Sequence, residues 1–260
     1  MIARTNREVI LLSNRIGSPL KDMVEVADRV WRLGTKQTNW YVVVDGNAVT
    51  VVDTGFPGHV RQLEPGLERI GRKLSDIAAV VITHAHVDHT GFAEHLRTTQ
   101  SIPVYVNADD THHGKARLFP PLTQYRRPGS WPLLADGLRN AMLFTPAIRE
   151  TTNVVDGQVL PIPGELQFLH LPGHTPGNGV FESAPRSCVF TGDALVTLDP
   201  YTQRKGPRLV FKEVNGDAAE ARSSLAKLTD RSIDTVLPGH GEPWREGLAA
   251  AAQAAMKAGG

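Results

Sequence analysis

The apolar positions of this chain fall into short runs separated by turn residues, and their spacing changes along the sequence. Residues 40–44 and 49–53 are β-branched runs either side of Asp45-Gly46-Asn47, and Asp-Gly between two such runs predicts a hairpin. Val60, Leu63, Leu67 and Ile70 recur at helical spacing, which predicts a helix over 58–71, kinked or divided at Pro65-Gly66. Residues 77–82 form a continuous apolar run, the pattern of a strand buried on both faces. A helix is expected over 91–97 and a strand over 102–106. From 107 to 153 the pattern blurs around Pro120-Pro121, Pro128-Gly129 and an amphipathic piece near 131–144. This stretch reads as an insertion of helices and loops, the kind of segment that walls a substrate pocket. Short strands return at 166–171, 179–183 and 187–190. A polar loop over 197–208 follows, then a helix over 217–228 with Asn215 as its cap. A last buried strand covers 233–237, and an Ala-rich surface helix over 248–260 frays into Gly259-Gly260.

This order predicts an α/β protein in which two sheets pack together with helices outside. One domain is expected over 1–260, with pseudo-halves at about 1–106 and 154–260 joined by the 107–153 insertion. Composition narrows the function classes. With 41% hydrophobic residues and 28 Lys+Arg against 27 Asp+Glu, the 260-residue chain can bury a core, and its net charge is +1. That near-neutrality withholds the electrostatic footprint of a protein that grips many phosphates, so no nucleic-acid partner is expected. The single cysteine, Cys188, excludes a disulfide framework and a thiolate zinc cluster; within Cys188-Val189-Phe190 it reads as a small buried hydrophobe. The apolar run at 9–12 is too short for a signal-peptide core, and no stretch approaches the roughly 20 apolar residues of a membrane span. A cytoplasmic protein with no membrane partner is expected. Self-association as a homodimer is left open.

The histidines carry the chemistry. Three lie in Thr83-His84-Ala85-His86-Val87-Asp88-His89; others stand in Pro172-Gly173-His174-Thr175-Pro176-Gly177 and Leu237-Pro238-Gly239-His240. Asp193 joins them in Thr191-Gly192-Asp193. His84, His174, Asp193 and His240 each follow a predicted strand, and layered α/β folds build their sites beyond strand ends. Imidazole and carboxylate donors suit Zn²⁺, Mn²⁺ or Fe²⁺. Seven donors are too many for one tetrahedral ion and suit two, with a carboxylate shared and a position left for water. Three His and one Asp directly after a buried strand are costly to explain as packing. Isolated residues such as His59, His95 and His170 read instead as surface or hydrogen-bonded side chains, and His112-His113 as exposed.

The run His84-x-His86-x-Asp88-His89, taken with His174, Asp193 and His240, resembles the metallo-β-lactamase superfamily. Val52-Asp53-Thr54-Gly55 is similar to that family's early Asp-Thr-Gly element, and the resemblance spans about residues 38–244. It implies a four-layer αβ/βα sandwich of two mixed sheets with outer helices and metals at one sheet edge. It implies that His84, His86 and His174 bind one metal, that Asp88, His89 and His240 bind a second, that Asp193 bridges them, and that Asp53 orients ligands from behind.

The implied reaction is hydrolysis by a hydroxide held between two divalent ions, zinc first and Fe²⁺ or Mn²⁺ next, with Asp88 also moving a proton. Only residues 241–260 follow His240, which leaves no room for the added helical domain of glyoxalase II-like thioesterases. Asn178 stands where many such relatives carry His or Ser. The complete first run disfavours the mono-zinc lactamases, and His86 in place of Glu disfavours the flavo-diiron branch. A small-molecule lactone, thioester or ester is the expected substrate, in a pocket to which Phe119, Tyr125 and Trp131 add apolar surface. Tyr201, Arg126 or Arg127 is expected to meet a substrate oxygen or carboxylate. Alternatives are a β-lactamase-like amidase, a mononuclear iron persulfide dioxygenase, a phosphodiesterase or nuclease, and a non-catalytic binding protein.

Overall fold

A computed structural model describes residues 20, 23–112, 115–119 and 122–258. The apolar run at 9–12, Pro120-Pro121, His113 and Gly259-Gly260 lie outside the described residues. In chain order the elements are β1 (Val24–Ala27), β2 (Val30–Gly34), β3 (Asn39–Asp45), β4 (Ala48–Val52), α1 (Leu63–Arg69), β5 (Ile77–Val81), α2 (Ala93–Gln100) and β6 (Val104–Val106). Then come β7 (Thr111–His112), β8 (Lys115–Ala116), α3 (Trp131–Arg139), β9 (Thr152–Asn153), β10 (Leu166–His170), β11 (Gly179–Ser183) and β12 (Cys188–Gly192). The chain ends with β13 (Val196–Leu198), β14 (Lys205–Arg208), α4 (Ala218–Ser224), β15 (Thr235–Pro238) and α5 (Leu248–Ala258).

The first sheet has the order β1-β2-β3-β4-β5-β6-β9, and the second β10-β11-β12-β15. The first is antiparallel through β4 and parallel from there to β9; β12 and β15 are the parallel pair of the second. The continuous apolar runs follow from burial on both faces. Trp40, Val42 and Val44 of β3 turn toward Leu63 and Leu67 of α1 and Leu96 of α2, while Tyr41 and Val43 turn the other way. There they meet Phe168, Phe181, Cys188, Phe190 and Leu237 of the second sheet, so Cys188 lies buried between the sheets. Val180, Val189 and Val236 face outward under Ala221 of α4 and Leu248 and Ala252 of α5. Alternation with period two thus sorts each strand's side chains between two cores, and the layers run helix, sheet, sheet, helix. Truncating Phe168 or Phe181, both fully buried between the sheets, would cost roughly 3–5 kcal/mol.

Several local expectations are corrected. Residues 57–69 do divide, but at Gln62, where a 3₁₀ turn over Pro57–Gln62 passes into α1. Pro65 sits in the first turn of α1, where a missing N–H removes no helical bond. The segment 197–208 is no plain loop, because β13 and β14 pair as an antiparallel hairpin. Asp217, not Asn215, caps α4, accepting hydrogen bonds from the amides of Ala219 and Glu220, and a 3₁₀ turn completes that helix over Leu225–Leu228. The end of the 107–153 stretch belongs to the first sheet through β9. β1 and β2 were not expected: β1 is an edge strand whose exposed Val24 and Glu25 break the apolar alternation.

Candidate metal centre

The donors arrive at the ends of four strands, one in the first sheet and three in the second. His84 follows β5, His174 follows β10, Asp193 immediately follows β12 and His240 follows β15. The β5 loop folds back on itself, the amides of His89 and Thr90 both donating to the carbonyl of His86. That turn projects His84, His86, Asp88 and His89 into one buried space.

Two groups form. His84, His86, His174 and Asp193 make the first, and Asp88, His89 and His240 the second; within each, the candidate ligand atoms lie within 4.8 Å of one another. In the first, His86 Nδ1 is 3.1 Å from His84 Nε2 and 2.9 Å from His174 Nε2. Asp193 stands between the groups and divides its oxygens. Oδ2 lies 3.4 Å from His174 Nε2 and 4.0 Å from His84 Nε2, while Oδ1 lies 3.3 Å from His240 Nε2 and 3.5 Å from His89 Nε2. Asp88 Oδ2 is 3.5 Å from His240 Nε2 and 3.9 Å from His89 Nε2. Gly239 lets these groups close up: a Cβ there would sit 2.6 Å from the His89 ring and 2.8 Å from Asp193 Oδ1.

Behind the donors His84, His89, His174 and His240 are each oriented from the far nitrogen. His89 Nδ1 is 2.8 Å from Asp53 Oδ2, and the other Asp53 oxygen accepts the Thr83 amide at 2.8 Å. Asp53 holds this position with φ +55°, a left-handed conformation that Asp tolerates better than most residues. His174 Nδ1 is 3.0 Å from Asn215 Oδ1, His84 Nδ1 is 3.2 Å from Thr83 Oγ1, and His240 Nδ1 pairs with the Gln37 carbonyl. Asn215, Gln37 and Thr83 were missed in the sequence. Only Thr83, next to His84, carried a local hint.

Electrostatics separates the groups. Burial, together with the neighbouring imidazoles, pulls His84 and His86 well below the usual imidazole range, and burial lowers His174 as well. Burial also opposes charge on His89 and His240. Their carboxylate neighbours outweigh it: Asp53, Asp88 and Asp193 hold His89 well above its ordinary value, and Asp193 and Asp88 raise His240. Asp193 is likewise buried, yet His240 and His89 keep it ionised well below the carboxylate range. His89 Nε2 and Asp193 Oδ1 are buried with no hydrogen-bond partner. Imidazoles held neutral in the first group, and in the second carboxylates converging on imidazoles with an orphaned inward-facing nitrogen, are donor sets that suit a divalent cation, so these residues fit one in each group.

The other expected residues fall differently. Tyr201 is buried, its ring 6.2 Å from Tyr125, in a cluster with Phe56, Leu133, Met142, Phe211 and Val87 of the ligand loop. Arg127 lies over the Phe211 ring at 3.9 Å and faces Glu213 at 3.9 Å, and Arg126 is exposed. Of the expected pocket aromatics, Phe119 and Trp131 are exposed and Tyr125 is half-buried. His170 Nε2 pairs with the Pro176 carbonyl, away from the centre. His59 is fully buried with both ring nitrogens unpartnered, which was not expected.

A fold of this layering with this donor set defines a metal-hydrolase scaffold, and the chain belongs to the metallo-β-lactamase superfamily, whose family model matches residues 33–240. It is 28% identical over 240 residues to the probable metallo-hydrolase YflN of Bacillus subtilis (strain 168), covering 84% of this chain and 86% of that one. It is 27% identical over 152 residues to the hydroxyacylglutathione hydrolase GloC of Haemophilus influenzae, covering 58% and 63% respectively. Among solved structures it resembles BJP-1, a subclass B3 metallo-β-lactamase of Bradyrhizobium japonicum, with a TM-score of 0.64 at 20% identity over 91% of each chain. That last likeness is one of fold. No helix among the described residues is long and apolar enough to cross a membrane.

Proposed function

We propose that this protein is a dinuclear metal hydrolase, with zinc as the first choice of metal, that cleaves a carbonyl ester-type bond of a small molecule: a thioester, lactone or ester. The observation that carries the reading is the division of Asp193, one oxygen toward each group of donors. His84, His86 and His174 would hold one cation, Asp88, His89 and His240 the other, and Asp193 would serve both. When bound, such cations polarise a carbonyl oxygen and lower the pKa of water toward neutrality. The ester-type choice draws support from the relative named a hydroxyacylglutathione hydrolase, since that compound is an acyl thioester.

The chain's own residues supply the rest. The seven His and Asp residues are all within 7% exposure, which keeps bulk water off them. Asp88, whose Oδ2 lies 3.5 Å from His240 Nε2, would take and return a proton at that oxygen. Burial, with Tyr125, Asp88 and Asp193 nearby, holds the Tyr201 hydroxyl protonated well above the usual phenol range. Packed against Tyr125 and in one cluster with Val87 of the β5 loop, that hydroxyl would act as a hydrogen-bond donor to the substrate carbonyl oxygen or the charge that develops there. Tyr201→Phe is expected to lower kcat/KM by about tenfold, the worth of one such hydrogen bond, with metal content unchanged. Unchanged kcat/KM would remove Tyr201 from the site.

The test of the whole reading is a substrate panel offered to zinc-loaded protein: an acyl thioester, a lactone, an aryl ester, a β-lactam and a phosphodiester. Turnover of the carbonyl esters, abolished by a chelator and restored by zinc, is the expected result. Preference for the β-lactam or the phosphodiester would replace it, and one bound iron with oxygen uptake on a persulfide would point to a dioxygenase.

A further inference from the structure

We propose that Asp110 is a positioning residue that locks together the two loops carrying His84, His86 and His174, and so sets the geometry of the first cation site. The proposal rests on the two-cation reading above only in taking those three imidazoles as ligands.

Asp110 is 2% exposed and ligates nothing itself. Both its oxygens are committed. Oδ2 accepts the Ala85 amide at 2.7 Å and the Thr175 hydroxyl at 2.8 Å; Oδ1 accepts the Gly177 amide at 2.6 Å. Ala85 stands between His84 and His86, and Thr175 directly follows His174. One buried carboxylate thus receives a donor from inside each ligand-bearing loop, across 25 and 65 to 67 residues of sequence. The approach is close: a Cβ on Gly177 would lie 2.6 Å from the Asp110 amide nitrogen and 2.9 Å from its Cγ.

Asp110 is itself fixed from behind. It ends a 3₁₀ turn over Ala108–Asp110 that Asn107 caps, the Asn107 side chain accepting the Asp109 amide and donating to the Val154 carbonyl. The clamp therefore runs from the first sheet through Asn107 and Asp110 to both loops. Without the carboxylate, three buried donors lose their acceptor, and the loops must part to find water. Parting them spreads His84 and His86 from His174. The second group has supports of its own, His89 on Asp53 and His240 on the Gln37 carbonyl, so it leans less on this contact.

The test is titration of the metal-free protein with Co²⁺ in competition with a chromophoric chelator, following the cobalt ligand-field spectrum. The step belonging to the first group is the one His174→Ala removes. Asp110→Asn, which keeps the shape but turns a donor toward a donor, is expected to weaken that step by about 10- to 100-fold and change its spectrum, with a distinctly smaller effect on the other step. Thr175→Val removes a single donor and should give a smaller loss in the same step. Equal weakening of both steps, or no change in either, overturns the proposal. If Asp110→Asn does not fold, Thr175→Val decides it alone, by weakening or sparing the first step. Wild-type stoichiometry answers the separate question: fewer than two cations would sink the dinuclear reading, while the ratio of variant to wild type would still judge Asp110.

Discussion

The two groups of donors differ in what stands behind their imidazoles. In the first, the supports are neutral: the Thr83 hydroxyl behind His84 and the Asn215 amide oxygen behind His174. In the second, His89 leans on the Asp53 carboxylate, and Asp88 is itself a donor. An imidazole backed by a carboxylate is the more basic ligand. The second group therefore offers its cation more negative charge, and the first relies on geometry and on its half of Asp193. The difference shows that one fold can build two adjacent donor groups of unlike character from loops of the same kind.

Asp193 is where that comparison can be broken most severely. Because its oxygens serve opposite groups, Asp193→Asn is expected to weaken both cations and to lower kcat by about 10³-fold, the loss of several kcal/mol of charge stabilisation. Metal analysis of the purified variant checks it. Retention of one full cation would show that Asp193 belongs to a single group.

The supports give a smaller and more selective effect. Asp53→Asn should weaken the second cation by about 10- to 100-fold and the first by less, through Thr83, whose amide and hydroxyl donate to Asp53, whereas Asn215→Leu should weaken the first toward the low end of that range. Isothermal titration of both variants reads the two steps directly. If Asn215→Leu costs more than Asp53→Asn, the charge behind an imidazole matters less here than its orientation.

How much of this was legible in the chain depends on distance along it. The layered strands were readable because two-sided burial leaves unbroken apolar runs such as 77–82. The candidate ligands stood out because metal chemistry restricts donors to a few residue types, four of them within six positions. Their supports did not, apart from Asp53, which the resemblance placed behind the ligands. Asn215 and Asp110 are ordinary turn residues until the fold brings His174 within reach of one from 41 positions away and Ala85 of the other from 25. Gln37 acts on His240 through a backbone carbonyl, across 203 positions, so its side-chain identity carried no information at all. Asn215 was read as a helix cap for the same reason: Asn before a helix usually caps it, and here Asp217 does.

A third kind of imidazole sharpens the comparison at the smallest scale. His59, like His89, buries nitrogen without a partner, but among the described residues no carboxylate faces it in an ion pair; burial, then the Arg61 charge, lowers its pKa to about 3. An orphaned nitrogen therefore marks a cation site only where acids converge. The sign of the pH effect follows from the lowered value. The unfolded chain protonates this residue near 6.5 and the folded one only near 3, so stability falls as pH drops through that window, by at most about 1.4 kcal/mol per unit. His59→Leu should be neutral or stabilising by about 1 kcal/mol at pH 7, since it removes an unsatisfied buried polar group. Its advantage should grow on acidification. Denaturant unfolding of both proteins at pH 7, 6 and 5 tests this, because acid release of metal affects both alike and cancels in the difference. A constant difference across that range would mean that His59 has a partner or a route to water, and that burial alone does not hold it neutral.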